Sequence, residues 1–155
     1  MKKERRTRQM TRRSSDVLIA HIKAHEGYRS KAYRCPAGVW TCGYGHTKGV
    51  TAHTTCDKAK AEAWLREDLS PVEAFCNAIK NVDTQGKFDA VVDFAFNVGL
   101  GNLRQSTLLK RIQAGATDKE VCAELRKWVY ANGRKLQGLV KRREWECERW
   151  KEGRV

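Results

Sequence analysis

No stretch of the 155 residues approaches the ~18 consecutive apolar positions that a membrane-spanning helix requires. The opening Met1-Lys2-Lys3-Glu4-Arg5-Arg6 is charged and has no apolar segment behind it, so no secretion signal is expected. Among Cys35, Cys42, Cys56, Cys76, Cys122 and Cys147 there is no C-x-x-C, and no histidine stands at zinc-finger spacing from a cysteine pair, which argues against zinc. Reduced thiols are the expectation for a chain without a secretion signal. Neither an internal repeat nor a low-complexity segment is present. Acidic residues are scarce, 18 against 31 Lys and Arg, and the net charge of +13 should draw the molecule towards polyanions, either nucleic acid or an acidic envelope. Much of that excess lies in the first 13 residues, and residues 1–14 read as a basic, solvated tail.

What is present suffices for one domain, since 41% of the residues are hydrophobic. Ser15 and Asp16 cap a helix that carries Val17, Leu18, Ile19 and Ile22 and stops at Glu26 before Gly27. Strand-like runs around Tyr33, Val39, Trp40 and Tyr44, punctuated by Pro36-Ala37-Gly38, Gly43 and Gly45, predict a small hairpin sheet. From Thr54 onward the period is helical, with Pro71 predicted to kink a long helix or to start a second one capped by Ser70. Thr84 caps the next helix, and a short one passes through Leu108, Leu109 and Ile112. Thr117 opens another in a capping box, and the last runs from Leu139 to Trp150. The fold class is α+β: a single domain over residues 15–155, with a small lobe at about 15–55 and a helical lobe at about 56–155 joined by a long helix.

The blocks Glu26-Gly27-Tyr28-Arg29, Ala32-Tyr33 and Trp40-Thr41-Cys42-Gly43-Tyr44-Gly45-His46-Thr47 carry the most chemistry. They are joined by Phe88-Asp89-Ala90, Phe96-Asn97-Val98-Gly99, Ser106-Thr107-Leu108-Leu109 and Gly138-Leu139-Val140-Lys141-Arg142-Arg143. In this order and spacing they resemble the phage-type lysozymes or endolysins, glycoside hydrolase family 24, and the resemblance covers nearly everything after the tail. It implies a lysozyme-like fold and hydrolysis of the β-1,4 bond between N-acetylmuramic acid and N-acetylglucosamine in peptidoglycan. It also implies a general acid at Glu26, and a water held from the positions of Cys35 and Thr41. The family usually has aspartate where this chain has Cys35, so the resemblance is to the subgroup with cysteine there. His46 is implied to be a structural ion-pair partner, with Asp68 on the following long helix.

General chemistry supports an acid at Glu26, because the leaving oxygen must receive a proton and the partial negative charge of a helix C-terminus favours the neutral carboxyl. A surface glutamate at a helix end is the plain alternative. Cys35 reads three ways: a buried small hydrophobe, a thiolate that polarises water, or a sulfur nucleophile with a retaining outcome. Family precedent favours inversion through water, which needs roughly 6.5 to 9.5 Å between the two groups. Thr41 is otherwise an ordinary strand residue. Strand alternation puts Thr41 on one face and Trp40 and Cys42 on the other, which disfavours a Cys35–Cys42 disulfide. Trp64, Trp128, Trp145 and Trp150 fall in helical patterns and read as core or rim, and Trp40 is open.

Two rival functions stand beside the enzyme. One is a catalytically impaired peptidoglycan-binding protein, prompted by the missing aspartate; the other is a basic nucleic-acid-binding module, which has the charge but no recognition motif. The partners expected are peptidoglycan glycan strands and an anionic cell envelope, with no obligatory nucleic acid. A monomer without metal or organic cofactor is expected. The resemblance implies synthesis in the host cytoplasm and action on the cell wall after a phage partner has permeabilised the membrane.

Overall fold

Hydroxyl and carboxylate side chains set the starts of the helices. The structure, a computed structural model, describes residues 11–152. Ser15, Asp57, Thr84, Ser106 and Thr117 each accept a hydrogen bond from a first-turn backbone N–H, satisfying a donor that the helix leaves unpaired. They open α1 (Asp16–Glu26), α2 (Lys58–Asn77), α3 (Gln85–Val98), α5 (Thr107–Gln113) and α6 (Asp118–Leu125). A six-residue α4 (Leu100–Gln105) follows α3, and α7 (Gln137–Glu152) closes the described chain. Helix α2 runs unbroken through Pro71, so of the two expectations the restart capped by Ser70 does not occur.

Strands β1 (Arg29–Arg34) and β2 (Trp40–Gly43) pair antiparallel, with Tyr33 opposite Thr41 and a register shift between Arg29 and Tyr33. Lys31 bridges to Thr55 on the other edge of β1, so the segment before α2 completes the small lobe. A second, two-residue hairpin, β3 (Tyr130–Ala131) and β4 (Arg134–Lys135), turns at Asn132 and Gly133, both at positive φ. Seven helices and two small antiparallel hairpins among the described residues make this an α+β fold.

The core is built around α3, whose Phe88, Ala90, Val91, Val92, Phe94 and Ala95 are all buried. Leu18, Ile19 and Ile22 of α1 belong to the same cluster, and His21 stacks on Trp145 of α7 at 3.7 Å. Thus α1, although contiguous in sequence with the small lobe, packs on the helical one. Of the tail expected over residues 1–14, residues 1–10 lie outside the described residues. Arg12 to Ser14 are tied to α2: Arg12 N–H donates to Asn77 Oδ1 at 2.8 Å and Ser14 N–H to Glu73 Oε2 at 2.6 Å. Among the described residues no helix is long and apolar enough to cross a membrane.

Candidate active site

Glu26 is the last residue of α1, and Gly27 at φ 71° turns the chain out of the helix into β1. The carboxyl is partly exposed and held from two sides. Arg142 Nη1 of α7 lies 3.3 Å from Oε1. On the other side the loop after β2 passes so close that a Cβ on Gly45 would sit 3.1 Å from Oε2. Gly45 has φ +80°, so glycine is required there by both backbone and space.

Arg142 is buried and cannot wander. Its Nε donates to Asp93 Oδ2 and its Nη2 to Oδ1, both at 3.0 Å, a two-pronged pairing with a fully buried carboxylate. His21 Nε2 is 3.4 Å from the same Asp93. Burial would push the Asp93 carboxyl up, but the adjoining Glu146 carboxyl, His21 and the Arg142 guanidinium outweigh it and hold it well below the usual carboxylate range. Burial first, and then the Asp93 charge, push its neighbour Glu146 well up, so of the two carboxyls Glu146 keeps the proton. Arg143 completes the cluster, with Nε 2.7 Å from Glu146 Oε1 and Nη2 donating to Asn97 Oδ1 at 2.8 Å. Two arginines on α7 are therefore fixed by carboxyls from α3 and α7, and one of them reaches Glu26.

Cys35 follows β1 and begins the turn to β2. Its N–H donates to Val39 O at 3.0 Å and its carbonyl accepts from Gly38 N–H at 2.8 Å. The thiol is half-buried, and the Val39 N–H, with smaller help from the Ala37 N–H and the Thr41 hydroxyl, holds it below the ordinary thiol range against an opposing effect of burial. Thr41 is buried in β2, and its hydroxyl donates at 3.0 Å to Val39 O, the same carbonyl that the Cys35 N–H bonds. No hydrogen bond joins Glu26 to Cys35 or Thr41 among the described residues. His46 Nδ1 lies 2.8 Å from Asp68 Oδ2, and the ring stacks on Trp64 at 4.5 Å. The Cys42 sulfur lies 3.5 Å from that of Cys56.

Sequence reasoning passed over Arg142, Asp93, Glu146 and His21 as members of the site. The signal was available: Asp93 is an acid inside the apolar run Phe88–Phe96, and Arg142 belongs to a motif block to which no task had been given. A cavity of about 310 Å³ opens beside this cluster, lined by Asn97, Val98, Asn102, Trp128, Tyr130 and Leu139 among others. Asn97 and the Trp128 carbonyl are both held by Arg143. Among the described residues no group of three or more His, Cys, Asp or Glu side chains converges as metal ligands would.

Solved structures share this architecture at clear sequence identity. The muramidase domain of SpmX from Asticaccaulis excentricus superposes with a TM-score of 0.81 at 35% identity, over 90% of this chain and 98% of that one. The active form of the P1 phage endolysin Lyz gives 0.81 at 30%, over 93% and 88%. Fold and neighbours together define a glycoside hydrolase of the lysozyme class. The endolysin of Acyrthosiphon pisum secondary endosymbiont phage 1 is 44% identical over 137 residues, 85% of this chain and 93% of the relative. Residues 23–146 match the model of the phage lysozyme family, and the chain belongs to that family.

Proposed function

We propose that the protein cleaves the β-1,4 bond between N-acetylmuramic acid and N-acetylglucosamine in peptidoglycan, with Glu26 as general acid and Cys35 and Thr41 holding the attacking water. The observation that carries this reading is the clamped Glu26 carboxyl beside a hairpin in which the Cys35 N–H and the Thr41 hydroxyl meet at one carbonyl, that of Val39. Glu26 gives its proton to the glycosidic oxygen as the bond to the anomeric carbon breaks. Arg142 then faces the carboxylate that remains, stabilising the charge left on Glu26. The Cys35 thiolate accepts a hydrogen bond from water on the opposite face of the sugar and takes up its proton as oxygen bonds to the anomeric carbon. Thr41 orients that water. His46 and Asp68 do not touch the reacting atoms; their pairing stiffens the loop that carries Gly45.

The cavity beside Asn97 and Trp128 offers two side-chain amides and two aromatic rings, a lining suited to a sugar or to its peptide branch. The positive surface suits an anionic envelope, and the enzyme works as a monomer on the wall once it has been released to it. Proton NMR of purified peptidoglycan during hydrolysis tests the mechanism: inversion predicts that the α anomer of the new reducing end appears first. The β anomer first would make Cys35 a nucleophile and overturn the water mechanism. Cys35→Asp should retain activity and Cys35→Ala should lose ~10²-fold or more, as for a displaced catalytic base.

A further inference from the structure

Four of the six cysteines are not scattered but fall into two neighbouring pairs. Cys42 is buried in β2, Cys56 is half-buried just before α2, and their sulfurs lie 3.5 Å apart. Both sulfurs lean on one acceptor, each 3.6 Å from the Arg29 carbonyl oxygen. The second pair is different: Cys147 Sγ is 3.8 Å from the Cys122 carbonyl oxygen, and both residues are sealed between α6 and α7. Among the described residues no hydrogen bond joins the Cys35 sulfur to another thiol.

We infer that Cys42 and Cys56 are an oxidation site, a thiol pair that closes to a disulfide when it meets an external disulfide oxidant such as oxidised glutathione, while Cys35 stays free. The sulfurs are already in contact, and a bond length near 2.05 Å asks them to close by about 1.5 Å. Cys56 is the reachable partner. Its thiolate attacks one sulfur of oxidised glutathione, forming a mixed disulfide and expelling one glutathione thiolate. The Cys42 thiolate then attacks Cys56 Sγ and expels the second. Two electrons pass from the protein to the oxidant, and the two protein protons end on the two released thiols.

Burial and the neighbouring Cys42 thiol push the Cys56 thiol up to about 11, so the first step accelerates as pH rises and more thiolate forms. The bridge closes the loop over residues 43–55, which contains Gly45 against Glu26 and His46 against Asp68. Oxidation therefore fixes the loop that frames the acid without consuming the thiol beside Thr41. The proposed hydrolysis supplies only the setting, a substrate outside the cytoplasmic membrane where oxidants of this class act; the thiol chemistry does not depend on it.

The experiment is oxidation of the full, folded chain with oxidised glutathione at mildly alkaline pH, alkylation by iodoacetamide, and peptide mapping without reductant. The expected result is one cross-linked peptide pair joining Cys42 to Cys56, with Cys35 alkylated. Tm should rise by about 5–10 °C over the reduced protein, as a loop of this length predicts, and the rise should vanish in both Cys56→Ser and Cys42→Ala. Recovery of Cys42 and Cys56 as free thiols from the oxidised wild type overturns the proposal. So does a cross-link that involves Cys35, or one confined to Cys122 and Cys147. Because the readout is mass and melting, a failure of the hydrolytic mechanism would leave the result unchanged.

Discussion

Replacing Arg142 by methionine keeps a long apolar stem in the core and deletes the charge that joins Asp93 to Glu26. Arg142 and Asp93 are both buried, and the pair is held by two bonds of 3.0 Å. Breaking a buried pair from one side costs about 3–5 kcal/mol, because the remaining charge loses its partner. His21 at 3.4 Å and the neighbouring Glu146 still face Asp93, which places the cost at the lower end, ~3 kcal/mol. For a chain of this size that is a fall in Tm of about 6–12 °C. Adding Asp93→Asn to the same protein removes the orphaned charge and should restore roughly 1–2 kcal/mol. Activity should fall further than stability explains, about 10²-fold at a temperature where the variant is fully folded, since Glu26 loses the contact that orients it. Thermal melts by circular dichroism and turbidity loss of a peptidoglycan suspension read both effects. A Tm change below ~2 °C, or no recovery in the double variant, would refute the reasoning that this cluster is a tightly coupled buried pair.

Two further outcomes follow from the geometry of the small lobe. Gly45→Ala forces a side chain onto a backbone at φ +80° and brings a methyl to 3.1 Å from Glu26 Oε2. Stability should drop by about 1–2 kcal/mol, and kcat should fall at least ~10-fold as the carboxyl is displaced, read by melting and by reducing-end release. Cys35, held below the ordinary thiol range by the Val39 N–H, should react with iodoacetamide at lower pH than an ordinary thiol, because a lowered pKa leaves more thiolate at any given pH. Cys56, with its thiol near 11, should lag behind it; an alkylation midpoint for Cys35 at or above that of Cys56, measured by mass spectrometry across a pH series, would contradict this electrostatic picture.

Much of the fold could be read from local chemistry. Ser15, Thr84 and Thr117 stand at helix starts because their side chains accept first-turn N–H groups, a preference that needs no tertiary contact. Pro71 starts no second helix, since α2 accommodates it without a break and gathers Leu65, Leu69, Val72 and Cys76 on one buried face. The β3–β4 hairpin went unread although Asn132-Gly133 is a strong two-residue turn signal; strands of two residues carry no alternation to support it. Helix α4 was equally invisible, with six residues and two glycines at its start.

The candidate site divides the same way. Glu26, Cys35, Thr41 and His46 lie within about twenty residues, where spacing and motif can single them out. Arg142 and Asp93 act on Glu26 from 116 and 67 positions away, and only packing of α7 on α3 brings them to it. Contiguity along the chain likewise could not show that His21 of α1 stacks on Trp145 of α7.

The proton donor is the claim on which the rest depends, and Glu26→Gln tests it with almost no change of shape. Reducing ends released from purified peptidoglycan should fall by about 10³-fold or more, as the loss of a general acid predicts, while Tm stays within a few degrees of the wild type. Hydrolysis within about tenfold of the wild type would mean that the proton comes from elsewhere and would contradict the assignment.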